Sequence, residues 1–295
     1  MILGLFFDFR RIIVALPLNK YVAWKADIVK MLKCRMTTAS ELDTLIGRLG
    51  NIGFIVCQNF HFLSRLRELF RRAKNRRSIK IDDTEAKDLE LTIYFLDKSK
   101  EGVDINLIAY RKPTHIYRSD SCPAGLGGYS HEGFAWRFYT PRELQGIASD
   151  NILELIGSII TPWIDIIRGR LKPGDCSLLM TDSSILEGWS RKTNFKEDGD
   201  EPIQATVRLE VSRGDAEWMM EARVKNYSQW IAGKYNDVSD ALSRDDDRSN
   251  EELTIILRTF VPSQVPSRGS TPISGHCDEI NCSSPNLSES LHLSD

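Results

Sequence analysis

Nothing in the 295 residues approaches the roughly 18 consecutive apolar residues that a membrane span needs. The apolar start, Met1 to Phe7, stops at Asp8 and Arg10-Arg11 and has no basic stretch before it, which excludes a secretory signal. Cysteine is sparse: the six at positions 34, 57, 122, 176, 277 and 282 show no framework spacing, and a chain of this length buries enough core to fold without staples. They read as reduced thiols. Cys277 and Cys282 beside His276 have the wrong spacing for a zinc site and lie in a polar segment, so a plain surface reading is preferred there. No internal repeat is evident. A soluble protein of the cell interior, cytoplasm or nucleus, with no membrane contact, is the expectation.

What is present is ordinary globular composition, 41% hydrophobic and 27% charged, arranged unevenly. Residues 1–80 carry 16 Lys/Arg against 5 Asp/Glu, roughly +11, which leaves roughly −13 for the rest of a chain whose net charge is −2. The amino-terminal part is therefore the better candidate for a polyanion-binding surface.

Two short extended runs, Leu3–Phe9 and Ile12–Leu16, predict a hairpin before Pro17. Apolar residues at helical spacing then predict helices over 20–31 and around Leu42 to Leu49, the second capped by Thr38-x-x-Glu41. A third helix, 59–74, puts Phe62, Leu63, Leu66, Leu69 and Phe70 on one face. Arg65, Arg67, Arg71 and Arg72 surround that face, and Arg76 and Arg77 extend the charge toward nucleic-acid phosphates or, equally, toward water. Residues 83–98 predict a fourth helix ended by Gly102.

The pattern then turns β-rich, with strands over 105–110, 115–118, 125–129 and 134–139. A long apolar helix follows from Ser149 or Asp150, with a kink expected at Pro162. Strand 177–181 ends at Asp182, and a helix begins at Ser183. Residues 194–202 read as a charged loop. Helical spacing resumes over 205–223 with a break at Gly214, and then come strand 227–231, helix 237–244 and a terminal helix near 250–259. From Pro262, Ser, Pro, Gly and Asn predominate and disorder is expected over 263–295.

Four acids fall at telling places. Asp120 follows a strand and precedes a Gly-rich hairpin, Asp182 ends a strand, Glu154 interrupts an apolar helix start, and Asp240 lies in a short helix. With 41 acids in 295 residues, any one position is acidic about one time in seven, and a strand-end Asp is often only a helix cap. Singly, each favours the structural explanation. Together, carboxylates of this kind are what two hard cations require for phosphodiester hydrolysis.

Their surroundings carry a resemblance. Tyr117-Arg118-Ser119-Asp120-Ser121-Cys122-Pro123-Ala124-Gly125-Leu126-Gly127-Gly128-Tyr129 resembles the first strand and hairpin of retroelement ribonuclease H domains. Asn151-Ile152-Leu153-Glu154 and Met180-Thr181-Asp182-Ser183-Ser184 are similar to the family's next two signatures. Gln229-Trp230-Ile231-Ala232-Gly233 followed by Asn236-Asp237-Val238-Ser239-Asp240-Ala241-Leu242-Ser243-Arg244 resembles its closing strand and helix. The resemblance implies an α/β fold over 104–248, a ribonuclease H-like mixed five-stranded sheet flanked by helices. It implies cleavage of the RNA strand of an RNA–DNA hybrid, with Asp120, Glu154, Asp182 and Asp240 holding two magnesium ions, for which manganese can substitute. Lys234 stands where some members place a catalytic histidine.

Upstream, Ile2 to Asp8, Leu16-Pro17-Leu18-Asn19-Lys20, Glu41 to Leu49 and His61 to Arg67 resemble the palm end (1–19) and the helical thumb and connection (20–103) of retrotransposon reverse transcriptases, including the DIRS type. The polymerase's Tyr-x-Asp-Asp motif does not occur, so the resemblance is to the carboxy-terminal part of such a polyprotein, and the missing polymerase portion becomes a candidate partner. Residues 249–262 complete the ordered part. Ser183 and Trp189 join the arginines as candidate nucleic-acid contacts; Trp136, Trp163 and Trp230 are weaker ones, since tryptophan is more often core. A hybrid-cleaving nuclease, a non-catalytic binding remnant, and an exonuclease or integrase on the same architecture all stand at this point.

Overall fold

The structure is a computed structural model, and it describes residues 4–56, 59–131, 134–140, 145–146, 149–191, 202–244, 248–260 and 273–275. In chain order the elements are β1 (Phe6–Asp8), β2 (Ile13–Ala15), α1 (Leu18–Cys34), β3 (Met36–Thr37), α2 (Ala39–Gly53), α3 (Asn59–Ala73), β4 (Ile79–Lys80), α4 (Asp83–Glu101), β5 (Val103–Asp104) and α5 (Ile105–Ile108). Then follow β6 (His115–Cys122), β7 (Gly125–Ser130), β8 (Phe134–Tyr139), α6 (Asp150–Ile167), β9 (Cys176–Thr181), α7 (Ser184–Arg191), α8 (Pro202–Ala222), β10 (Lys225–Trp230), α9 (Asp237–Arg244), α10 (Asn250–Phe260) and β11 (Ile273–Gly275). The main sheet has the order β10-β9-β6-β7-β8-β11. Its first five strands are the mixed five-stranded sheet flanked by helices that the resemblance implies.

By internal contacts the chain forms two compact units: 1–115 with 162–179 and 183–230, and 116–161 with 180–182 and 231–295. In the first, α1 to α4 bury one side each. Trp24, Ile28, Leu42, Leu45, Leu49, Phe62, Leu66, Leu69, Leu89 and Phe95 share a core with Leu209, Ala216 and Met220 of α8. Each such side chain contributes about 1.5–3 kcal/mol when fully buried. Thr38 and Asp82 cap α2 and α4 with complete capping boxes, through Glu41 and Glu85. Gly102, at φ +101°, ends α4. Hairpin β1–β2 pairs Phe6 with Ala15 and continues to β5.

In the second unit β6, β7 and β8 form an antiparallel meander, with Asp120 opposite Gly127 and Gly127 opposite Arg137. Helices α9 and α10 cover it through Tyr129, Ala135, Val238, Leu242, Leu253 and Leu257.

Several expectations are corrected. Residues 105–110 are not a strand: Asp104 accepts a hydrogen bond from the Asn106 amide at 2.7 Å and starts the helical turn α5. Asp120 lies inside β6, not past its end, because the strand runs on to Cys122. Helix α8 passes through Gly214 without a break, where a single glycine costs only about 1 kcal/mol against a packed helix face. Of the segment expected to be disordered, Ile273–Gly275 pairs in parallel with β8, whose outer edge offers unsatisfied backbone groups. The other residues past 260, including His276, Cys277 and Cys282, lie outside the described residues, as does most of the loop over 194–202. No helix among the described residues is long and apolar enough to cross a membrane.

Candidate metal centre

Three of the four predicted carboxylates converge. Asp120, Asp182 and Asp240 each offer an oxygen, and these oxygens all lie within 4.8 Å of one another. They arrive from three elements: mid-strand on β6, the residue just past β9, and the first turn of α9. Glu154, in the first turn and a half of α6, is not part of that group. Its helix nonetheless runs beside Asp120, since a Cβ at Gly157 would lie 3.8 Å from the Asp120 carbonyl oxygen.

The approach of α9 to the sheet depends on the glycines of β7. A Cβ on Gly127 would come within 2.6 Å of the Leu242 carbonyl carbon, and one on Gly125 within 2.7 Å of the Ser243 carbonyl oxygen. Only bare backbone lets the helix sit this low, and that depth brings Asp240 to Asp120.

Polar neighbours fix the aspartates. The Ser243 hydroxyl donates to Asp120 Oδ2 at 2.5 Å. The fully buried Asn236 donates its amide to Asp182 Oδ1 at 3.1 Å and to the Ser119 carbonyl at 3.3 Å, tying the strand end to β6. Gly233 passes close to Asp182, leaving 3.3 Å between its would-be Cβ and Asp182 Oδ2. Arg244 reaches Asp120 Oδ2 at 3.6 Å and Asp240 Oδ1 at 3.5 Å, one cation facing two acids. Asn236, Ser243 and Arg244 were not singled out from sequence as site residues. Their signal was present, however, as polar residues inside the closing signature.

Burial, aided by the charges of Asp240 and Asp182 and opposed by the Ser243 hydrogen bond and Arg244, pushes the Asp120 carboxyl from the ordinary 3.8 up to about 7. A partly buried cluster of like charges, with Asp120 buried and Asp182 and Asp240 half-buried, costs free energy that a bound cation would remove. The donor set, all carboxylate oxygen, suits a hard divalent ion. The residues present thus fit the magnesium that the sequence resemblance implies.

The remaining predicted contacts are dispersed. Arg65 is mostly covered, its Nε 2.8 Å from buried Asp88; Arg72 pairs with Glu85 and Arg71 with Glu68. Arg67, Arg76 and Arg77 are exposed. Ser183 is a helix cap, accepting from the Leu186 amide at 3.2 Å. Trp189 is half-buried with the Arg208 guanidinium 5.1 Å from its ring centre. Trp136 is buried on Thr161 and Trp163 stacks on Trp218 at 5.0 Å, whereas Trp230 is 47% exposed. Lys234 is exposed beside the Tyr235 ring.

No protein-family model matches the chain, and no curated protein does. Solved structures of similar course include RNase H1 of the halophilic archaeon Halobacterium salinarum, 16% identical over 45% of this chain and 98% of that one, with a TM-score of 0.34. The amino-terminal RNase H domain of a Mycobacterium tuberculosis protein is 15% identical over 48% of this chain and 96% of that one, with a TM-score of 0.32. A foamy viral protease-reverse transcriptase in complex with double-stranded DNA is similar over 78% of this chain and 44% of that one, at 13% identity and a TM-score of 0.28. At these values the functional reading rests on the carboxylate geometry.

Proposed function

We propose that the chain is a ribonuclease H-type hydrolase that cuts the RNA strand of RNA–DNA hybrids, derived from the carboxy-terminal part of a retroelement reverse transcriptase. The convergence of Asp120, Asp182 and Asp240 is the observation that carries this reading. Asp120, Asp182 and Asp240 would hold divalent cations, which would supply the positive charge that phosphodiester hydrolysis needs. The chain's own residues hold the carboxylates in place: Asn236 orients Asp182, Ser243 orients Asp120, and Gly127 lets α9 deliver Asp240. Glu154 completes the ligand set in this reading, from the helix that runs beside Asp120.

The basic helix α3 serves as the hybrid-binding arm. Arg65 and Arg72 are engaged with acids, so the phosphate contacts fall to Arg67, Arg76 and Arg77, with Arg71 free to exchange its exposed partner Glu68. The missing polymerase portion of the polyprotein is the expected partner of the amino-terminal part.

One observation favours the second reading, a binding remnant without activity: Glu154 stands outside the carboxylate trio. Calorimetric titration separates the two. A nuclease takes up magnesium at the trio and binds hybrid more tightly with the metal than without it, and it cuts hybrid but leaves duplex DNA and single strands whole. A remnant binds hybrid equally with and without magnesium and cuts nothing.

A further inference from the structure

Arg118 stands on β6 two residues before Asp120. Arg118 pairs with Tyr129 and Asp120 with Gly127 across the hairpin, so both side chains leave the same face of the sheet, roughly 6–7 Å apart along the strand. The Arg118 guanidinium donates to the Tyr235 carbonyl in a solvent-exposed hydrogen bond, and its side chain also reaches the Tyr129 hydroxyl. That carbonyl belongs to the short turn Gly233–Tyr235, which is held against the metal centre from both ends. Gly233 passes close to Asp182 Oδ2, and Asn236, the residue after Tyr235, donates to Asp182 Oδ1 at 3.1 Å. Two routes therefore fix the guanidinium beside the aspartates: its own strand leads to Asp120, and the turn leads to Asp182.

Arg118 has neutral acceptors only. Among the described residues no acid forms an ion pair with it, and the cation that Asp120 and Asp240 share is Arg244. His131, the next residue on that face, stacks on Tyr129 at 5.6 Å. Burial, with the charge of Arg118, pushes the His131 imidazole down to about 4, so it is neutral at pH 7. A clamp between β6 and the turn needs only a donor. A neutral amide would serve as well, without the cost of keeping a cation half-buried and unpaired. The nearest acids are the trio, and a divalent cation on them would cancel even their distant attraction for Arg118. What calls for a charge at this position is an anion that arrives from outside.

Taking the trio as the hydrolytic centre proposed for it, we infer that Arg118 binds a backbone phosphate of the nucleic-acid strand lying across the aspartates, next to the phosphate at the metal centre. Cations on the trio serve the phosphate they touch, whereas its neighbour would otherwise meet carboxylates alone. A guanidinium held on one edge by a carbonyl keeps further donors for phosphate oxygens, whose geometry its fork matches. Such a contact positions the strand and is blind to its sequence.

The test reads binding as well as cutting. Fluorescence anisotropy of a labelled RNA–DNA hybrid with the full chain is measured over a range of salt in calcium, a larger cation with the same preference for oxygen as magnesium. Arg118→Gln keeps a donor for the Tyr235 carbonyl and loses the charge, whereas Arg118→Lys keeps the charge. The glutamine variant is expected to bind hybrid about 10-fold more weakly, with the salt dependence of log affinity reduced by about one. Its melting temperature and its magnesium affinity without hybrid are expected to match the parent's, and the lysine variant is expected to keep the parent's salt dependence. Parental affinity and salt dependence in Arg118→Gln overturn the inference. An equal loss in Arg118→Lys and Arg118→Gln also overturns it, since charge is then not what binds, and so does weaker magnesium binding by Arg118→Gln without hybrid, which places the effect on the aspartates. Failure of the hydrolase reading looks different: a parent that shows this Arg118-dependent binding and cuts nothing in magnesium contradicts that reading and supports the phosphate contact.

Discussion

Asp120 is buried at 4% exposure near two other acids, and its raised pKa has a consequence of definite sign. A carboxyl whose folded-state value is about 7 against an ordinary 3.8 favours the folded state fully below about pH 4, and that contribution is lost as pH rises through 7. The metal-free protein should therefore melt at a lower temperature at pH 8 than at pH 5.5, and magnesium should restore the difference. Asp215, pushed up to about 7 by burial, tilts stability the same way, so the slope is compared with that of Asp120→Asn, which should be shallower. Magnesium binding should also release a proton between pH 6 and 7, visible as a buffer-dependent heat in calorimetry. Arg244 yields a prediction with two directions. It is the cation that Asp120 and Asp240 share, 58% exposed. Arg244→Ala should lower metal-free stability by about 0.5–1 kcal/mol, since exposed pairs are worth little, yet tighten magnesium binding a few-fold by removing a competitor. Weaker magnesium binding in the variant would mean that Arg244 supports the site instead.

Between elements, the depth of α9 on β7 sets the site. Gly127→Ala places a methyl group against the Leu242 backbone, which cannot yield as a side chain can. The helix must rise, and the expected loss is about 1–3 kcal/mol of stability together with a larger loss of magnesium affinity, checked by melting and calorimetry on the same sample. In the first unit, α3, α4 and α8 meet at Asp88, fully buried, which accepts from Arg213 Nη2 at 2.6 Å and faces Arg65 Nε at 2.8 Å. Asp88→Ala strands two guanidinium groups, and a cost of about 3–5 kcal/mol in chemical denaturation is expected. These elements also mark what the sequence could carry. Helix α2 was legible down to its capping box and α4 down to the glycine that ends it, because caps and apolar spacing are local properties. The strand end at Asp182 and the bounds of α9 were legible for the same reason. The extension of β6 past Asp120 was not, since it is set by pairing with β7, nor was the pairing of Arg65 with Asp88, which is 23 positions distant. The arginines of α3 looked alike in sequence; partners on other helices divide them into structural and exposed.

At the scale of the molecule, the polar cluster gathered by three elements is the feature that stability alone does not require. Solved structures of low similarity share the coarse course of the chain, but the central claim belongs to Asp120, Asp182 and Asp240. The most direct measurement is strand-specific cleavage. An RNA–DNA hybrid labelled on both strands is incubated with the full chain and magnesium, beside Asp182→Asn, chosen because its carboxylate is held by Asn236 and an amide in its place preserves the packing. The parent should shorten only the RNA strand, and the variant should cut at least about a hundred-fold more slowly with an unchanged melting temperature, as expected when a charge acting at the reaction itself is removed. An intact RNA strand with the parent, or equal cutting by both proteins, would contradict the account.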